Sequence, residues 1–210
     1  MARIAAALVL LLAGLPACSR LPHHPGWVIR SSVEVVGPLP ADGYRLIFPY
    51  IVGDLYGPVS TGNFVVPVSS TAGGFTLDLN RTQNVLEKEL EPVDFSLRFL
   101  AIVPREARIA RLAPAALQRN GIDPVGAVEW LDARSREPLM LVYIDRPARI
   151  SGSVTRNGET VRYDIRTVKP DYVWVGGERT SEHETLYTVV PPPQHLVLTI
   201  TTRQPGQSAR

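Results

Sequence analysis

Asn157-Gly158 is the strongest local constraint in this 210-residue chain. An Asn-Gly pair between alternating apolar and polar runs specifies a two-residue type I′ hairpin turn, because both positions must adopt positive φ. The turn also sets which residues face each other. Ile150, Gly152 and Val154 oppose Ile165, Tyr163 and Val161 on one face, which is apolar but for a phenol hydroxyl. Arg149, Ser151, Ser153 and Thr155 oppose Arg166, Asp164, Arg162 and Thr160 on the other. A slip of one residue would bury those charges, so the register is well specified. Tyr163 is expected to cover the gap that Gly152 leaves.

The rest of the chain reads the same way. Its 19 prolines and 16 glycines punctuate short runs rich in Val, Ile, Thr and Tyr, the pattern of short strands between turns. Candidate strands are 27–36, 44–52, 64–68, 74–79, 94–103, 126–131, 139–145, 171–175, 182–190 and 195–202. In 74–79, Phe75, Leu77 and Leu79 alternate with Thr76 and Asp78, and in 94–103 Phe95, Leu97, Phe99 and Ala101 share one face. Leu139 to Ile144 is apolar on both faces, which predicts a central strand. Residues 80–90 allow one or two helical turns. Pro114 suits a helix start and Asn120-Gly121 a helix stop, which predicts a short helix near 114–120. The expected fold is therefore all-β: an antiparallel β-sandwich, either one large one or two small immunoglobulin- or transthyretin-like halves divided near 104–124. Residues 203–210 read as a polar tail.

The first 17 residues have a different make-up. Arg3 precedes the uncharged apolar run Ile4 to Leu12, and small residues follow, as in an export signal. The run is shorter than the roughly 20 residues that span a bilayer. Leu15-Pro16-Ala17-Cys18 closes this segment and contains the only cysteine of the chain. It resembles the bacterial lipoprotein box, with Leu three positions before the cut, a small residue just before it, and then cysteine. Pro16 departs from the small or β-branched residue usual in that family. The resemblance covers about the first 20 residues and implies that Cys18 becomes a lipidated N-terminus bearing a diacylglyceryl group and an amide-linked acyl chain. Two or more chains hold stably, at about 0.8 kcal/mol per buried CH₂. Ser19 is not the aspartate that retains such proteins in the inner membrane, so the resemblance implies the outer membrane, on its periplasmic face. Residues 18–26 then form a tether to a domain spanning 27–202. The eight residues after Cys18 reach at most about 28 Å. A lone cysteine consumed by lipid also fits an oxidising compartment.

Charge and motifs narrow the function. The formal charge is +2, and removal of residues 1–17 with Arg3 leaves +1, which points away from nucleic acid. Nucleophile elbows, phosphate-binding loops and zinc or calcium motifs are absent from the sequence. His23-His24 lies in the tether, and in Glu182-His183-Glu184 the carboxylates of a strand would point away from the imidazole. No catalytic residue, metal ligand or cofactor is expected. Two surfaces are candidates for contact. Arg149, Arg162 and Arg166 with Asp164 form a candidate anion or partner patch, with a solvated sheet face as the plainer reading. Tyr172 and Trp174 are candidate contact aromatics, with core burial as the plainer reading. The function these features suggest is a lipid-anchored binding or structural accessory module of the envelope, attached to the membrane through Cys18 and docking an envelope protein. The alternatives are an envelope hydrolase with a dispersed carboxylate site and a carrier of a small ligand or lipid.

Overall fold

The structure is a computed structural model, and it describes residues 25–36, 45–48, 50–52, 55, 68–71, 74–82, 90, 100–112, 116–119 and 123–202. The expected export signal, Cys18, the expected tether up to residue 24, most of 80–90, residues 64–67 and 94–99, and the expected tail 203–210 lie outside the described residues.

The fold is all-β. The strands are β1 Val28–Val36, β2 Arg45–Ile47, β3 Tyr50–Val52, β4 Val68–Thr71, β5 Gly74–Asp78, β6 Leu100–Val103, β7 Ile109–Leu112 and β8 Ala116–Arg119. They continue as β9 Asp123–Asp132, β10 Pro138–Ile144, β11 Ala148–Arg156, β12 Glu159–Thr167, β13 Asp171–Ser181, β14 Glu184–Val190 and β15 Leu196–Thr202. Single 3₁₀ turns occupy Pro25–Trp27 and Leu79–Thr82. The main path of neighbours is β4-β5-β1-β15-β9-β10-β13-β14-β12-β11-β6. Most pairs are antiparallel, but β1 with β15 and β12 with β14 are parallel. The sheet is therefore mixed rather than purely antiparallel.

The sheet forks at β10. Along one edge its residues 139–144 pair with 176–171 of β13. Along the other edge, Pro138 and Leu139 pair with Leu131 and Trp130 of β9, while residues 141–144 pair with 112–109 of β7. Met140 stands between the two branches. β10 is thus the central strand that its apolar run predicts, and it is apolar on both faces because it faces two cores. Leu141 and Tyr143 join Ala110, Leu112 and Trp174 in a core rich in aromatic rings that also holds Trp27, Phe48, Phe75 and Trp130. Val142 and Ile144 join Ile109 and Val175 in an aliphatic core completed by Ile102, Ile150, Tyr163 and Ile165. The two cores are not two sequential halves of the chain, since β7, β10 and β13 contribute to both.

The β11–β12 hairpin has the expected register throughout, from Ala148 opposite Thr167 to Arg156 opposite Glu159. Asn157 and Gly158 have φ of 54° and 82°, as the type I′ turn requires. Tyr163 pairs with Gly152 and is buried, and its ring stacks on Tyr187 of β14 at 5.5 Å.

Four expectations are corrected. Residues Ala116–Arg119, predicted as part of a helix near 114–120, form strand β8, paired with both β2 and β9. β9 parts from β10 at the fork, and β8 takes up the backbone groups of its first residues, a tertiary pairing that outweighs local cap signals. The segment 44–52 is two strands with different partners, β8 for β2 and β7 for β3. In β6 the buried residue is Ile102 and Ala101 is exposed, the reverse of the expected face. The run 182–190 begins as a strand only at Glu184, and it pairs with β13 and β12.

Candidate functional site

The arginine patch of the β11–β12 hairpin is present, but its charges are taken up internally. Asp164 accepts from Arg149 Nε at 3.0 Å and from Arg166 Nε and NH2 at 3.1 Å each. These two arginines hold its carboxyl below the usual aspartate range against a small opposing effect of burial, Arg166 contributing most. Arg162 turns the other way and donates to Glu184 Oε1 at 3.0 Å. Three cations against two carboxylates leave a weak positive excess on an exposed face.

Tyr172 and Trp174 do not form an exposed contact. Trp174 is buried against Trp130, ring centroids 5.6 Å apart. The Tyr172 hydroxyl lies 2.5 Å from that of Tyr50 and 2.9 Å from Thr82 Oγ1, inside the aromatic core. Burial pushes the Tyr50 phenol up to about 12 and the Tyr172 phenol well above its ordinary value. Both are neutral phenols at physiological pH. Their strand alternates inward here because its other face is needed for the aliphatic core.

The chain enters the domain through this cluster. Trp27 packs edge-on against Tyr172 and Tyr143, centroids 4.9 and 5.9 Å away. Its indole N–H donates to Asp171 Oδ1 at 2.7 Å. Burial opposes the charge of Asp171, but Lys169 at 2.9 Å and the Trp27 indole outweigh it and hold the carboxyl below its ordinary value. The first residues after the tether are therefore fixed to the core.

Two clefts flank the start of β10. The smaller, about 220 Å³, lies at the fork between β9 and β7 and is lined by Trp130, Met140, Tyr187, Arg111 and Glu129 among others. The buried indole N–H of Trp130 has no hydrogen-bond partner. A cleft of this size has room for an ordered water, the usual partner of such a group.

The larger cleft, about 310 Å³, opens between the β9–β10 turn and the β13–β14 hairpin. Its apolar wall is Leu139, Val190, Pro191 and Pro193, and its acidic groups are Asp132, Glu137 and Glu178. No cation lines it. Two glycines shape it. A Cβ on Gly176 would stand 3.0 Å from Val190 Cγ1, and one on Gly177 would stand 3.0 Å from Thr185 Cγ2 and 3.1 Å from the Tyr187 ring. Any larger residue at either position would press on these side chains, which would have to give by a few tenths of an ångström. Asp132 is occupied in its own turn, accepting from the backbone N–H groups of Ser135 at 2.8 Å and Arg134 at 3.0 Å. The Ser135 bond leads in holding its carboxyl below the usual range. Glu137 and Glu178, by contrast, are exposed and form no ion pair among the described residues.

Among the described residues, no group of three or more His, Cys, Asp or Glu side chains is placed to hold a metal ion. His183 lies in the β13–β14 turn with Nδ1 at 3.3 Å from Glu159 Oε1, on an exposed surface. The large cleft was missed in the sequence because its parts are scattered over a turn, two strands and the triple proline. Only Gly176-Gly177 marked it, as a pair interrupting an apolar run. The chain matches no family model, no curated protein and no solved structure.

Proposed function

We propose that the chain is an outer-membrane lipoprotein, anchored through Cys18 and facing the periplasm, that works as a binding and accessory module of the envelope by docking a protein partner. The observation that carries the binding role is the larger cleft, where two carboxylates with no ion pair among the described residues stand beside an apolar wall. The lipobox-like Leu15-Pro16-Ala17-Cys18 carries the location.

The cleft favours recognition over hydrolysis. A glycan hydrolase needs a carboxylic acid that keeps its proton near neutral pH beside a second carboxylate. Asp132 is shifted the opposite way by its turn. The carrier reading is less favoured because both cores are filled by side chains. At about 310 Å³ the larger cleft lies at the lower end of the roughly 300–1,000 Å³ typical of small-molecule sites, and it is open.

Cys18→Ala should abolish lipid attachment and move the protein from the membrane fraction to the soluble fraction, read by intact mass and fractionation. Unchanged membrane retention, with no lipid mass on the wild-type protein, would remove the anchored reading. Crosslinking in intact envelopes should capture one stoichiometric protein partner. Recovery of the lipidated protein alone would remove the accessory role.

A further inference from the structure

We infer that the larger cleft receives an extended, lysine- or arginine-bearing segment of a protein partner, which adds a short strand to the open edge of β13. The inference rests on the partner-docking reading and gives that docking a site.

The edge is open for an identifiable reason. β13 has eleven residues, but β10 covers it only as far as Gly176, opposite Leu139. The next position in register would set Pro138 against Gly177. Proline has no N–H to give, so the ladder stops there, and the chain leaves through the β9–β10 turn. Among the described residues, 177–181 pair only with β14. Glu178 to Ser181 are exposed. A bulge between Arg179 and Ser181 ends the regular stretch, so the usable edge is Gly177–Arg179. Three residues suffice for a strand in this fold, as β2 and β3 show.

An open strand edge invites another chain unless something covers or repels it. Here the cleft beside it offers matched side-chain sites. Leu139, Val190 and Pro191 supply an apolar wall, and Glu137 and Glu178 supply negative charge with no ion pair among the described residues. Of the neighbouring cations, Arg134 acts on Asp132 within the β9–β10 turn, and two others are engaged elsewhere. Arg136 forms a bidentate pair with Glu34 at 2.7 and 3.2 Å. Arg179 donates to the backbone carbonyls of Ser181 and Glu182 in its own turn. An incoming strand presents alternate residues to opposite sides. Main-chain bonds to the edge would give affinity, while alternating apolar and cationic side chains would give selectivity.

The test uses the full chain purified in detergent and a fluorescein-labelled hexapeptide of alternating lysine and valine. Comparators are the same peptide with glutamate for lysine and a copy N-methylated at alternate residues, which keeps the side chains but loses half of its N–H donors. Fluorescence anisotropy should show saturable binding of the lysine peptide. Binding should weaken roughly tenfold or more for each comparator and for the E137K/E178K variant. Circular dichroism identical to the parent would establish that the variant is folded. Failure of the lysine peptide to bind overturns the inference. So does equal binding of the N-methylated peptide, which excludes strand addition, or of the charge-reversed variant, which excludes the carboxylates. A partner captured in envelopes together with no peptide binding would overturn this site and leave the docking role standing. Peptide binding with no envelope partner would do the reverse.

Discussion

The two C-terminal hairpins differ in a way that separates structure from recognition. β11 and β12 have nine residues each, meet at an Asn-Gly turn and pair without interruption. Their outer edges are covered in part, β11 by β6 over Arg149–Gly152 and β12 by β14 over Thr160–Asp164. Asp164 satisfies two arginines and Glu184 a third. β13 and β14 have eleven and seven residues, a bulge, an edge covered for only part of its length, and carboxylates at hand with no ion pair. The regular hairpin has its arginines paired with carboxylates of its own sheet. The irregular one leaves backbone and charge exposed beside a cleft. Regularity and availability compete for the same hydrogen-bonding groups.

The sharpest way to break this comparison is to delete core from the regular hairpin. Ile165 is fully buried, so Ile165→Ala should cost about 2–5 kcal/mol in chemical denaturation. Val189→Ala, on the exposed side of β14, should stay within about 0.5 kcal/mol. Equal losses would mean that the two hairpins contribute alike. The turns come next. Gly158 holds φ of 82°, and Gly158→Ala should cost about 1–2 kcal/mol. Glu182→Ala should change stability by less than about 0.5 kcal/mol, because Arg179 uses only the backbone carbonyl of that residue.

Electrostatic changes should be the smallest. Asp164→Asn should lower stability by less than Gly158→Ala does in the same denaturation series, since all three partners are solvent-exposed. Asp164 binds its proton less tightly when folded. Its contribution is therefore present above the ordinary aspartate value of 3.8 and lost as pH falls through the lowered folded value. Asp171 behaves with the same sign. The indole N–H resonance of Trp27 should hold steady above pH 3.8 and shift only below it. A midpoint at or above 3.8 would mean that Asp171 is not held by Lys169 and Trp27 as described.

How much could be read in advance follows from the same contrast. The β11–β12 register, the burial of Phe75 and Leu77, and the central place of β10 were legible because each depends on local alternation and one turn. β8 was not. Pro114 and Asn120-Gly121 look like helix ends, and only β2 and β9, distant in sequence, make Ala116–Arg119 a strand. Pro124 sits inside β9 opposite Gln118, at a register shift where its missing N–H is tolerated. The arginine patch was legible as residues but not as charge, because Glu184, which neutralises Arg162, lies on another hairpin. The large cleft was illegible for a related reason. It exists where β10 ends early, and that depends on the pairing of Pro138 rather than on any composition.

The position of Trp27 has a mechanical meaning. It leads directly into β1, which pairs with β5 over Val28–Ser32 and with β15 over Ser32–Val36. In the proposed anchored protein, a pull from the membrane side acts along the axis of β1 and loads the β5 ladder first and the β15 ladder behind it, each in shear, instead of opening them one bond at a time. Single-molecule pulling from residue 27 should therefore show one high rupture force, and a low, stepwise peeling trace would contradict this geometry. A domain attached through such a strand can transmit tension between a membrane and whatever it holds without unravelling from the attached end.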